Sequence, residues 1–387
     1  MPQPPIYLDH AATTPVRAEV LDAMLPYFSG KFGNASSAHR WGREARAATD
    51  AARERIAVCL GAQPDEICLT SGGTEADNLA VLGGWRVQQG NGRPGIVSTP
   101  IEHKAVLASV HQAAREGADE RLLAVDATGI VNLDSARQHI RDDVAMVSVM
   151  WVNNETGVIQ PIAELAALAK TSGSVFHTDA VQAFGKVAVD AAKIPFDFLS
   201  VSGHKFGAPK SIGAVYVRRG TALSPLFFGG TQDRGRRPGT ENTPYAVALA
   251  TAMELTLTEK DEECARLRAL RDRLEASLVA HVPDLVVHGR EAARVPHILH
   301  VSVPGADSES LLMALDLQGI AASSGSACQS GSVTPSHVLS AMGLPHELGA
   351  AAIRMSVGKL STEDQVDRVA ELFPAVVRAA RSMAGKF

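Results

Sequence analysis

The chain has 387 residues, of which 45% are hydrophobic and 20% charged, with a formal net charge of -5. That is ordinary globular composition, long enough for one large core and a smaller second one. Mild acidity and the lack of Lys/Arg runs leave no electrostatic footprint for nucleic acid or for an anionic membrane surface.

The opening Met1-Pro2-Gln3-Pro4-Pro5 has neither the basic nor the apolar region of a secretory signal. From about residue 50 to 220 the pattern alternates between strand and helix. Residues 66–70 predict a strand and 74–89 a helix, joined by Ser71-Gly72-Gly73. Residues 96–99 predict a short strand and 104–116 a helix. The apolar run 144–152 predicts a strand buried on both faces, and it is too short to cross a membrane. A helix over 161–172 starts at a proline and stops at Gly173. Strands follow at 175–179, 196–202 and 212–218. This alternation predicts an α/β fold with a mainly parallel sheet between helices.

The composition shifts near residue 255. Beyond it come a charged helix at 259–280, a strand at 297–303, a helix at 308–317, a strand at 353–357 and a terminal helix at 362–382. The expected organisation is a large domain over 16–255 and a smaller α+β domain over 256–387, with segment 1–15 packing against the latter. Loops 228–243 and 323–335, rich in small residues, are candidates for function.

Several polar residues fall at one edge of the expected sheet. Gly73 and Thr74 open a helix after a strand, where free N–H groups and the helix dipole suit a phosphate. A glycine turn with a threonine cap gives the same pattern. Asp179 ends an apolar strand, placed to pair with a cationic ring nitrogen or to cap the next helix, and Gln182 follows it. Ser202-Gly203-His204-Lys205 ends another strand and offers a Schiff-base lysine. Glu102-His103 opens a helix at the same edge. Together these residues describe a pocket for pyridoxal 5'-phosphate (PLP), in which the cofactor is the electron sink. Arg354 lies in an apolar strand and suits a substrate carboxylate or a structural ion pair.

Four cysteines are scattered, with no C-x-x-C pair, so neither a disulfide framework nor a zinc site is expected, and the protein is expected in the cytoplasm. Cys59 and Cys68 sit in apolar patterns. Cys328 lies in a run of small polar residues, Ser323-Ser324-Gly325-Ser326-Ala327-Cys328, as a reactive thiol would.

With these motifs, and with Tyr7–Pro15, Asn154 and Arg236–Asn242, the sequence resembles the cysteine desulfurases of the NifS/IscS type, class V aminotransferases of PLP fold type I. The resemblance implies that Lys205 links PLP, that His103 packs on its ring and moves protons with Lys205, and that Asp179 and Gln182 meet the ring nitrogen and oxygen. Gly73, Thr74, Ser202, Gly203, His204 and Thr240 would complete the cofactor site, Thr240 reaching in from the second subunit of a homodimer. Asn154 and Arg354 would contact cofactor and L-cysteine, Arg354 taking the carboxylate. Cys328 would receive the sulfur for an acceptor such as an iron–sulfur scaffold, and would serve as a transient ligand to a cluster in transit. Transamination or selenocysteine cleavage on the same fold, and a non-enzymatic docking platform, are the competing readings. The chain departs from the family at Ala35, at Gly73 and in the turn Ala208-Pro209-Lys210-Ser211.

Overall fold

The structure is a computed structural model and describes residues 4–324 and 335–384. Its first part runs β1 (Ile6–Tyr7), α1 (Ala18–Met24), α2 (Arg40–Leu60), β2 (Ile67–Thr70), α3 (Gly73–Gln89), β3 (Gly95–Ser98), α4 (Lys104–Arg115) and β4 (Asp119–Leu122). The middle holds α5 (Leu133–His139), β5 (Val144–Ser148), α6 (Ile162–Ser172), β6 (Val175–Asp179), β7 (Phe198–Ser202), β8 (Gly213–Val217) and α7 (Thr243–Thr258). The last part holds α8 (Lys260–His281), β9 (Val286–Val287), β10 (Ile298–Ser302), α9 (Ser308–Asp316), β11 (Ile320–Ala321), α10 (His337–Ala341), α11 (His346–Ala350), β12 (Ala352–Ser356) and α12 (Glu363–Ala384).

Seven strands form the main sheet in the order β2-β8-β7-β6-β5-β3-β4, with β8 antiparallel to both neighbours and the rest running one way. Strands β5 to β8 are buried at every residue, as continuous apolar runs covered on both faces must be. The edge strand β4, Asp119-Glu120-Arg121-Leu122, has no buried residue, and its charges discourage pairing with another chain. Ala76, Leu79, Ala80 and Trp85 of α3 pack with Val106 and Val110 of α4 over one face of the sheet. On the other face, residues of α2, α6 and α7 share a core with Phe176, Leu199 and Tyr216.

A separate core joins Leu267, Leu274 and Leu278 of α8 with Leu299 and Val301 of β10, Ile353 and Met355 of β12, and Phe373 and Val377 of α12. Ile6 and Leu8 belong to this core although they begin the chain, and β1 pairs in parallel with β11.

The predicted strand over 144–152 ends at Ser148. The apolar run continues because Val149 to Val152 stay buried while the backbone turns away, Val149 N donating to His177 O and Trp151 N to Asp179 O. Helix α6 starts one residue after Pro161 and stops at left-handed Gly173. Ser211, in the turn that departs from the family, has φ 68, a conformation that glycine adopts at less cost.

Candidate active site

At the C-terminal edge of the parallel strands lies a cavity of about 330 Å³, where open α/β sheets bind ligands. Strand β6 places Asp179 in it, the end of β7 places Ser202, and the short turn beyond β7 places His204 and Lys205. Helix α3 brings Gly73 and Thr74, and the start of α4 brings His103. Gln182, Asn154 and Arg354 complete the predicted set in its wall. Gly203 is buried next to the wall, where an added Cβ would come within 2.8 Å of Ala208 Cβ. Thr240 is exposed and does not line this cavity. Cys328 lies outside the described residues.

The Lys205 amine donates to the carbonyls of Ala11 and Ala12 at 2.7 and 2.9 Å. Burial lowers its pKa to about 8, Arg354 adds to this, and Asp179 and Asp9 oppose it. Asp179 accepts the Val181 N–H at 2.8 Å. Burial pushes its carboxyl up, while His103, that N–H and Lys205 pull it down. Desolvation lowers His103, Asp179 works against this, and Lys205 reinforces it. Gln182 Nε2 donates to Ala11 O at 2.8 Å. Arg354 is 4% exposed and donates to Asn154 O at 2.7 Å and to Asp9 Oδ1 at 2.9 Å. A substrate carboxylate here competes with a carbonyl and a partly exposed acid.

The wall also holds acids that sequence patterns did not single out. Asp77 on α3 is 1% exposed, and its Oδ1 has no hydrogen-bond partner. His177 Nε2 stands 3.6 Å from it. Polar atoms of Asp77, His103 and Asp179 all lie within 4.8 Å of one another. Burial, and then the Asp179 charge, raises Asp77 well above the usual carboxylate range. Two carboxylates this close in a dry wall resist ionising together, and Asp179 is the one of the pair that the Lys205 charge pulls towards ionisation. Glu155 is also buried and accepts the Ser336 hydroxyl, and His337 lines the cavity beside Ser336.

These groups fit PLP. The first turn of α3 has no side-chain cap, and its leading N–H groups point out of the helix with no intrahelical partner. The acid in that turn, Glu75, is turned to Arg237 at 2.8 Å and to Ser71 N at 2.7 Å. An anion at this terminus therefore meets donors, with the Ser202 hydroxyl alongside. Gly213 lets the backbones close, because a Cβ there would lie 2.5 Å from Val201 O and 2.8 Å from Gly72 Cα. A pyridine nitrogen would find its counter-charge in Asp179, and an aldehyde an amine of lowered pKa in Lys205.

Known proteins resemble this chain over nearly its whole length. The Aminotransferase class-V family profile matches residues 6–369. "Cysteine desulfurase IscS" of Methanosarcina thermophila is 44% identical, the match covering 98% of this chain and 93% of that protein. "Cysteine desulfurase NifS" of Azotobacter vinelandii is also 44% identical, over 98% of this chain and 94% of its own. A solved structure described as a NifS-like protein superposes with a TM-score of 0.90 at 34% identity, covering 97% of this chain and 99% of that one. From residue 6 to residue 369, in the first part of α12, then, the chain belongs to the class-V aminotransferase family, whose cofactor is PLP.

Proposed function

We propose that this protein is a PLP-dependent cysteine desulfurase, which takes sulfur from L-cysteine as a persulfide on Cys328 and releases L-alanine. The observation that carries the reading is the cavity itself, where an amine of lowered pKa, an acid for a ring nitrogen, an open helix N-terminus and a buried guanidinium share one space.

When bound, PLP supplies an aldehyde for the amino group and a ring that accepts electrons from Cα. Lys205 would link the aldehyde and, once released, carry protons at Cα. Asp179 would keep the ring nitrogen protonated, with His103 packing on the ring and Gln182 meeting its oxygen. The first turn of α3 with Gly73 and Thr74, together with Ser202, Gly203 and His204, would hold the phosphate. Arg354, beside Asn154, would exchange Asp9 for the substrate carboxylate.

Sulfur transfer needs a thiolate, and the three described thiols are unsuited to it. Cys59 and Cys68 are buried, and burial pushes Cys59 up to about 11 and Cys68 higher still. Cys264 is also raised by burial. Cys328 is the remaining thiol of the chain. The exposed position of Thr240 fits a homodimer in which loop 228–243 lends it to the second subunit's cavity. The acceptor would be an iron–sulfur scaffold or a similar carrier protein in the cytoplasm, with Cys328 able to touch a cluster iron in transit. Among the described residues no helix is long and apolar enough to cross a membrane.

The test is to give L-cysteine to PLP-loaded protein and to measure alanine and sulfane sulfur for wild type and Cys328→Ala together. The variant should keep its cofactor absorbance while alanine and persulfide both fall to background. Normal turnover by the variant removes Cys328 from the mechanism, and no alanine from wild type removes the desulfurase reading.

A further inference from the structure

Of the three histidines that line the cavity, His103 and His337 have hydrogen bonds that fix opposite tautomers. His103 Nδ1 faces the Ala105 N–H at 3.2 Å. A backbone amide only donates, so Nδ1 carries the lone pair and the neutral ring holds its proton on Nε2. Protonating Nδ1 would set N–H against N–H and forfeit the cap of α4. His103 is therefore a poor place to put a proton.

His337 is the reverse case. Its Nε2 lies 2.9 Å from the Glu102 carbonyl oxygen, which only accepts, so Nε2 holds the proton and Nδ1 the lone pair. No described group hydrogen-bonds to Nδ1, and the half-buried ring lines the cavity. Taking a proton there leaves the bond to Glu102 intact. Ser336, one residue earlier, holds the ring in place. Its hydroxyl donates to Glu155 and accepts the N–H groups of Val338 and Leu339, so it caps α10. The Asn153–Thr156 turn ties this corner to the substrate end, because Asn154 O accepts from Arg354 while Glu155 takes Ser336.

We infer that His337, at the Arg354 end of the cavity, is the proton acceptor for the attacking thiol, and that it returns the proton to the product. This rests on the desulfurase reading above. The thiol gives its proton to Nδ1, and its sulfur forms a bond to the substrate sulfur as the Cβ–S bond breaks. The electron pair of that bond leaves on Cβ, and the imidazolium then protonates Cβ to make the methyl group of alanine. One thiol and one L-cysteine give one persulfide and one L-alanine, with no outside oxidant or reductant. The charged groups around the ring divide. Glu155, Asp77 and Asp179 are the acids, and Lys104 on α4, Lys205 beyond β7 and Arg354 on β12 the bases, that line the cavity with it.

The test uses PLP-loaded wild type, His337→Gln and His337→Ala with L-cysteine, following alanine from pH 6 to 9. The glutamine amide can still donate to Glu102 O but cannot take a proton. General acid–base roles are worth roughly 10²- to 10⁴-fold, so kcat for His337→Gln should fall within that range, with KM and cofactor absorbance nearly unchanged. The acid limb of the kcat profile should disappear, and added imidazole should restore part of the activity of His337→Ala. A His337→Gln enzyme that keeps wild-type kcat and its acid limb overturns the inference. So does a loss of activity with an unaltered pH profile and no imidazole rescue. Absence of alanine from wild type strikes the desulfurase reading instead, before any variant is compared.

Discussion

Lys205 is the clearest case of a residue whose environment prepares its chemistry. Only the neutral amine attacks an aldehyde, and its pKa near 8 compares with about 10.4 for a free lysine. At pH 7 the neutral fraction is thus a few hundredfold larger than in water. Cofactor-free protein should take up PLP faster as pH rises, with a midpoint near pH 8, as read by stopped-flow absorbance; a midpoint above 10 would contradict the buried setting. Lys205, Asp179 and Ser202 were legible in the sequence because each ends an apolar strand, and strand ends share an edge of the sheet. Asp77, Glu155 and His337 were not. Asp77 sits four residues after Gly73, between Ala76 and Leu79, and the one available signal was an acid on the apolar face of a helix. Glu155 and His337 meet only through Ser336, 181 positions away, a closeness that no local pattern encodes.

Among the elements, the helices and strands that frame the cavity were readable because their apolar runs have clear periods and end at Gly or Pro. Strand β4 and the short β9 and β11 escaped, being too short or too polar to show a period. Loop 228–243 read as a small-residue segment, yet it is tied down. Arg53 of α2 donates to Asp233 at 2.6 Å, to Glu241 at 3.0 Å and to Ile67 O at 2.7 Å. Asp233 and Arg234 lie at φ 46 and 60, conformations that a loop keeps only when its surroundings hold it. The Arg53 and Asp233 side chains are 13% and 6% exposed, so removing one partner leaves a largely buried charge. Arg53→Ala should cost about 3 kcal/mol in denaturant unfolding. If the loop carries Thr240 into a second subunit's cavity, the same variant should also lose PLP more readily on dialysis.

For the whole molecule, the change of core falls at Glu259, where α7, packed in the sheet's core, gives way to α8, packed in the other. The fold class was legible because a parallel sheet needs helices between its strands. The N-terminus returns to the far core, where β1 pairs with β11. Leu8 is fully buried in that core, three residues before the Ala11 carbonyl that receives Lys205. Leu8→Ala should cost about 2 to 5 kcal/mol by thermal or denaturant unfolding. It should also loosen the Lys205 contact, raising the midpoint of PLP uptake towards that of a free lysine.

The Ala11 N–H, at the cavity wall, is held by the Ser356 hydroxyl at 2.9 Å, 345 positions along the chain. During synthesis the first residues leave the ribosome long before Ser356 exists, and the lysine follows while its seat is still unsupported. Domains fold as units as they emerge, so the sheet can form early and wait with an open pocket. The seat of the lysine is thus completed only when the last strand arrives and draws the N-terminus across.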